Sequence, residues 1–138
     1  MKKEKICRFI LAVIGIFLVG TGVAFNAAAA LGNDPVGIMY DGIRNALGLT
    51  GEQLGTASNI VNIILCVVVF FTGRHYVNIG TFIYIIPYGM IVDIGGRIYH
   101  LLFKVQTFPI QILGAVTGCL LLYTGVAMYI TADIGLDP

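Results

Sequence analysis

Long apolar runs separated by short polar breaks dominate this chain. Phe9–Gly32 and Leu54–Gly73 carry no charged residue, and neither does Val105–Ala132. A fourth run, Val77 to about Phe103, is apolar apart from Asp93 and Arg97 and the terminal-turn His100. A bilayer core about 30 Å thick needs about 20 apolar residues at 1.5 Å rise each, and all four runs are long enough. Inside hydrocarbon each backbone group must find its partner within the segment, so each run predicts a helix. The alternation that a membrane strand requires, polar on one face at every second residue, is missing from all four. The pattern therefore predicts an all-α, polytopic membrane helix bundle of about four spans, forming one transmembrane domain over residues 1–138.

Between the first two runs the pattern changes. Val36, Met39, Tyr40, Ile43 and Leu47 recur at helical spacing, with Asp41, Arg44 and Asn45 on the other side. This predicts a helix over 35–47, too short to cross, that lies in the interface or dips in and returns. Gly32 suits a left-handed helix end, Asp34 an N-cap, Pro35 a first helical turn, and Gly48 a stop. Thr50-Gly51-Glu52-Gln53 then reads as a capping box for the next span. Within that span Gln53, Thr56, Asn59 and Asn62 recur every three residues, with Ser58 beside them. Such a stripe should face protein or a water-filled path, not lipid. Helix-to-helix hydrogen bonding and solute passage are the two readings of it.

The chain also repeats. Thr21–Pro35 reads TGVAFNAAAALGNDP and Thr124–Pro138 reads TGVAMYITADIGLDP, eight identities in fifteen at an offset of 103. Ala12, Val13 and Gly15 extend the match to Ala115, Val116 and Gly118. Span one thus corresponds to span four, and one unit (about 6–104) holds three spans. An odd number of spans puts the next unit (about 105–138) into the membrane upside down. The reading is the first part of an inverted 3+3 repeat, and the chain ends inside its second copy of the loop motif. The motif residues are Gly32, Asp34 and Pro35, then Gly135, Asp137 and Pro138. The expectation is that the full fold continues through two further spans.

Composition sharpens this picture. Hydrophobic residues make up 58% and charged residues 11%, too few charges to cover a soluble domain. The run Lys2, Lys3, Lys5 ahead of an apolar stretch and Ala27–Ala30 resembles a secretory signal, but the stretch is too long and recurs downstream. Lys2, Lys3, Lys5, Arg8 and Arg74 fall on one side of the predicted bundle, against Arg44, Arg97 and Lys104 on the other. This bias puts the N-terminus on the cytoplasmic face of a cell membrane. A net charge of +1 gives no reason to expect nucleic acid. Cys7, Cys66 and Cys119 are scattered and odd in number, which predicts buried thiols rather than a disulfide framework or a zinc site. No cofactor is expected.

Asp93 is the main candidate for chemistry. A charge within a span is costly and marks function by default. Arg97 follows four residues on, so a stabilising pair is the other reading. The candidate solute-binding residues are Asp93, Arg97, Asn59, Asn62 and Gln53. His100 and His75 sit at span ends, where an interfacial position accounts for both. Gly114 and Gly118 form a GxxxG that permits close helix contact.

Leu31-Gly32 with Asp34-Pro35, Gly55-Thr56-Ala57-Ser58, Ile79-Gly80-Thr81-Phe82 and Ile91-Val92-Asp93 together resemble the YczE/YyaS/YitT group of bacterial multi-pass membrane proteins. The resemblance implies a cell-membrane location and more than four spans, but no substrate. Members often carry Gly-Pro and an aromatic residue where this chain has Asp34-Pro35-Val36. The expected function is small-solute transport, with a non-transporting regulatory or scaffold role as the alternative. Expected partners are the lipid bilayer, the solute, and a second copy or another membrane protein. Catalysis is not expected, since HExxH, GxSxG, P-loop and GxGxxG motifs are missing from the sequence.

Overall fold

The computed structural model describes residues 2–73 and 79–132. Among them every regular element is helical. The helices are α1 (Lys2–Ala29), α2 (Pro35–Ala46), α3 (Leu54–Thr72), α4 (Ile79–Leu102) and α5 (Phe108–Ala132), with a 3-10 turn at Gly51–Gln53 before α3. Among the described residues three stretches are long and apolar enough to cross a bilayer: Glu4–Ala29, Gly51–Thr72 and Phe108–Ala132. The 24 residues of α4 give it comparable length, but Asp93 and Arg97 make it more polar, and it runs on through Pro87. The predicted start of this run at Val77 lies outside the described residues.

Glycines set how the helices meet. A Cβ at Gly15 would lie 2.9 Å from the Gly125 carbonyl oxygen, and one at Gly22 would lie 2.7 Å from that of Gly118. Rising numbers on α1 meet falling numbers on α5, so these two helices are antiparallel and share a backbone-to-backbone seam. Gly20 packs on Ile91, and Gly95 on Ala24 and Thr21, so α1 and α4 are parallel. Gly55 of α3 lies directly against Gly89 of α4. Small residues are what lets membrane helices approach this closely, because lipid supplies no hydrophobic drive to hold them together.

The interior is apolar with a tyrosine lining. Val19, Val23, Tyr40, Val61, Tyr88, Val92 and Leu122 form one buried cluster. Phe25 and Tyr99 form a second, with ring centroids 5.3 Å apart in an edge-on arrangement. Outward lie Phe9, Val13 and Phe17 of α1, Ile63, Ile64, Val67 and Phe71 of α3, and Leu113, Leu120 and Ile130 of α5, all exposed. An apolar surface this broad is viable only against lipid or other apolar protein. The chain is a membrane protein.

The short helix α2 shows how the bilayer changes the meaning of amphipathicity. Its inward residues are Gly37 and Tyr40, with Ile43, Asp41 and Arg44 half-buried, while Val36, Ile38, Met39 and Leu47 point outward. The apolar stripe marked by spacing is split, with Tyr40 and Ile43 inside and the rest outside. Tyr40 donates to Asn62 Oδ1 at 3.1 Å. Asn62 lies eight residues into α3, about 12 Å along its axis at 1.5 Å per residue. Arg44, near the other end of α2, lies close to Gly51 ahead of α3. So α2 runs antiparallel to α3 and dips into the bundle.

Candidate functional site

The mouth of the bundle is built by three helix ends and one turn. α2 stops in a Schellman arrangement: the Leu49 N–H donates to the Arg44 carbonyl at 3.0 Å and the Gly48 N–H to that of Asn45 at 3.1 Å. Gly48 takes the left-handed φ of 65° that this stop needs. The Thr50 N–H then donates to Gln53 Oε1 at 3.0 Å, which is the predicted capping box. These two local devices turn the chain sharply. They hold Arg44 at the end of α2 and Glu52 at the start of the second span on the same rim.

Opposite them stands Asp93. Its Oδ1 accepts from the Gly55 N–H at 2.7 Å. Gly55 is the second residue of α3, so its amide is one of the four at a helix start that have no partner within the helix. Asp93 therefore supplies from α4 the acceptor that a local cap would otherwise provide, and its charge suits the positive end of the α3 dipole. The carboxylate lies level with the first turn of α3, not at mid-span. Arg97 is exposed one turn further on and attracts Asp93 through space, but the direct partner of Asp93 is the Gly55 amide.

A cleft of about 300 Å³ opens between these groups. Asp93, Glu52, Arg44 and His100 bring it charge and polarity, while Ala24, Ala27 and Ala28 of α1 line it with small side chains and so leave it empty. Arg44 is shared with a second polar cleft, lined also by Asn26, Asn33, Asp41 and Asn45. Its Nη2 donates to Asp41 Oδ1 at 2.9 Å and to Asn45 Oδ1 at 3.2 Å, while its Nε is buried with no hydrogen-bond partner.

The other candidate residues divide between framework and rim. Asn59 Oδ1 accepts from the Gly89 N–H at 3.1 Å, joining α3 to α4 one turn below Asp93. Asn62 is taken up by Tyr40. Ser58, fully buried, donates to the Gly55 carbonyl at 2.8 Å. Gln53 and Thr56 are exposed. The polar stripe of α3 thus splits: its inner members are interhelical hydrogen bonds, and Gln53 serves the capping box. Arg44, Glu52 and His100 are cleft residues that spacing did not single out. Arg44 and Glu52 carried the signal of a polar residue beside a helix stop and a capping box.

At the loop motif, Gly32 has a φ of 122° and Ala30, unexpectedly, a left-handed φ of 54°. Pro35 opens α2 as predicted. Asp34 holds the N-cap position with extended backbone, but its side chain makes no capping bond and its Oδ1 is buried without a partner. The Asp34 carbonyl closes the first turn instead, accepting from the Ile38 N–H at 2.9 Å. Gly135, Asp137 and Pro138 lie outside the described residues, as do Arg74 and His75. Cys7, Cys66 and Cys119 are free thiols, with Cys7 and Cys119 exposed rather than buried. Among the described residues no three His, Cys, Asp or Glu side chains cluster as a metal site would need.

A family model covers residues 6–138, nearly the whole of this bundle. The chain belongs to the family of unknown function DUF6198. No curated protein and no solved structure matches it. The DUF6198 match spans all five helices, so the cleft around Asp93 and the α1–α5 seam both fall within the family's region.

Proposed function

We propose that this chain is a transporter-like membrane protein, not an enzyme, that binds a small polar solute in the cleft around Asp93. The observation that carries the reading is the cleft itself: about 300 Å³, walled by Asp93, Glu52, Arg44 and His100, in a membrane bundle whose core is apolar. Charged side chains near a membrane-spanning core are rare and usually mark a solute or ion path.

The repeat supports the same reading. At the offset of 103, Gly15 corresponds to Gly118 and Gly22 to Gly125. Gly15 packs on Gly125 and Gly22 on Gly118, so each contact is the counterpart of the other under exchange of the two segments. That reciprocity is what a two-fold axis in the membrane plane produces, and it favours an inverted-topology repeat of the kind many secondary transporters use. In this reading α4 is the third of four spans and α5 the fourth, the protein sits in a bacterial plasma membrane, and the N-terminus is cytoplasmic. The resemblance to the YczE/YyaS/YitT group is compatible with it. A scaffold role would need an exposed small-residue face, for which the GxxxG of Gly114 and Gly118 is the candidate. Those glycines instead meet Tyr99 and Asn26 within the chain.

Reconstitution into proteoliposomes tests this. Uptake of a small polar solute by the native chain, abolished by Asp93→Asn while membrane insertion is retained, is the expected result. Uptake unaffected by Asp93→Asn removes the cleft from the mechanism.

A further inference from the structure

Opposite charges enter the cleft from two different helices, and each is anchored through one atom. Asp93 of α4 is fixed by Gly55 through Oδ1. Oδ2 takes no part in that bond. Arg44 of α2 is fixed by Asp41 and Asn45 through Nη2. Its Nε is buried and unpaired. A buried donor with no acceptor is expensive, and native proteins keep such groups chiefly where a ligand or water completes them. Glu52 adds a second carboxylate to the same cleft. The alanines of α1 keep open a space at the small end of the range for ligand pockets.

We propose that the cleft is a receptor for a small zwitterion of amino-acid size, its anionic group on Arg44 and its cationic group on Asp93 and Glu52. The proposal rests on the solute-binding reading above and adds the class of solute. A guanidinium edge matches a carboxylate in shape as well as in charge. A carboxylate already held in place through Oδ1 by a backbone amide needs little reordering to accept an ammonium.

Equilibrium dialysis of the purified full chain in detergent tests this, with radiolabelled alanine, serine and β-alanine as probes and propionate and ethylamine as competitors. The zwitterions should bind at least tenfold more tightly than either one-charge analogue, which corresponds to about 1.4 kcal/mol. Arg44→Gln should erase the advantage of alanine over ethylamine, and Asp93→Asn its advantage over propionate. Arg44→Lys should restore part of the first. The competition on the native chain needs no variant to fold. Ethylamine or propionate binding as tightly as alanine overturns the proposal, and so does no binding of any of the three zwitterions. Zwitterion binding without flux in proteoliposomes would sink the transport reading and leave this one standing. Flux of an uncharged or singly charged solute without zwitterion binding would do the reverse.

Discussion

Replacing Gly22 by alanine tests the seam on which the bundle is built. The new Cβ would lie 2.5 Å from the Leu122 nitrogen, 2.7 Å from the Gly118 carbonyl oxygen and 2.8 Å from the Leu122 Cα. All three obstacles are backbone, so no rotamer change relieves them. Ordinary contact needs about 3.5–4.0 Å, and α1 and α5 must move apart by about 1 Å. Overpacking of this kind costs about 1–3 kcal/mol, and rigid obstacles put Gly22 at the upper end. Alanine returns up to about 1 kcal/mol through helix propensity, leaving a net destabilisation of about 2 kcal/mol. Gly125→Ala should behave alike, since its Cβ would meet the Gly15 oxygen and the Val19 nitrogen, each at 2.7 Å. Gly96, with nothing within 4 Å, is the control and should be neutral or slightly stabilising as alanine. Unfolding by sodium dodecyl sulfate in mixed micelles, followed by circular dichroism, supplies the free energies. If Gly22→Ala and Gly96→Ala unfold at the same detergent fraction, the close antiparallel seam is wrong.

Two further outcomes follow from the polar contacts. Asp93→Asn keeps an oxygen for the Gly55 amide and should cost under about 1 kcal/mol, whereas Asp93→Leu strands that amide and should cost about 1–3 kcal/mol in the same unfolding assay. Tyr40→Phe removes the hydroxyl that holds Asn62, whose Nδ2 is already unpaired. It should destabilise the chain by about 1–2 kcal/mol and speed amide exchange in α2 ahead of α3.

The helices and their punctuation were legible in the sequence because both are local. Apolar length marked α1, α3 and α5, Pro35 marked the start of α2, and Gly48 with Thr50 and Gln53 marked the turn into α3. The inside of α2 was not legible. Spacing identifies an apolar stripe, but in a bilayer that stripe faces lipid as readily as core, and here Val36 and Met39 face out while Tyr40 faces in. Asp93 was visible as an anomaly, but its partner was not. Gly55 stands 38 positions away and offers only a backbone amide, which no residue type announces. The sequence invited a pair between Asp93 and Arg97 because charges four apart share a helix face. The α3 amide competes better, since it is closer and otherwise unsatisfied. His100 was legible only as a span-end residue, and its place in the cleft depends on where α4 ends relative to Glu52.

The arrangement of crossings is tested most directly by side-specific labelling of single cysteines in a chain whose own three cysteines have been replaced. Sites at Glu4, Thr72, Glu52 and Lys104 are probed in intact vesicles with a membrane-impermeant maleimide. Glu4 and Thr72 should label from one side, and Glu52, at the mouth of the cleft, together with Lys104 from the other. Lys104 labelled from the same side as Thr72 would mean that α4 does not cross. That result would leave Asp93 without a cleft between spans and contradict the account at its centre.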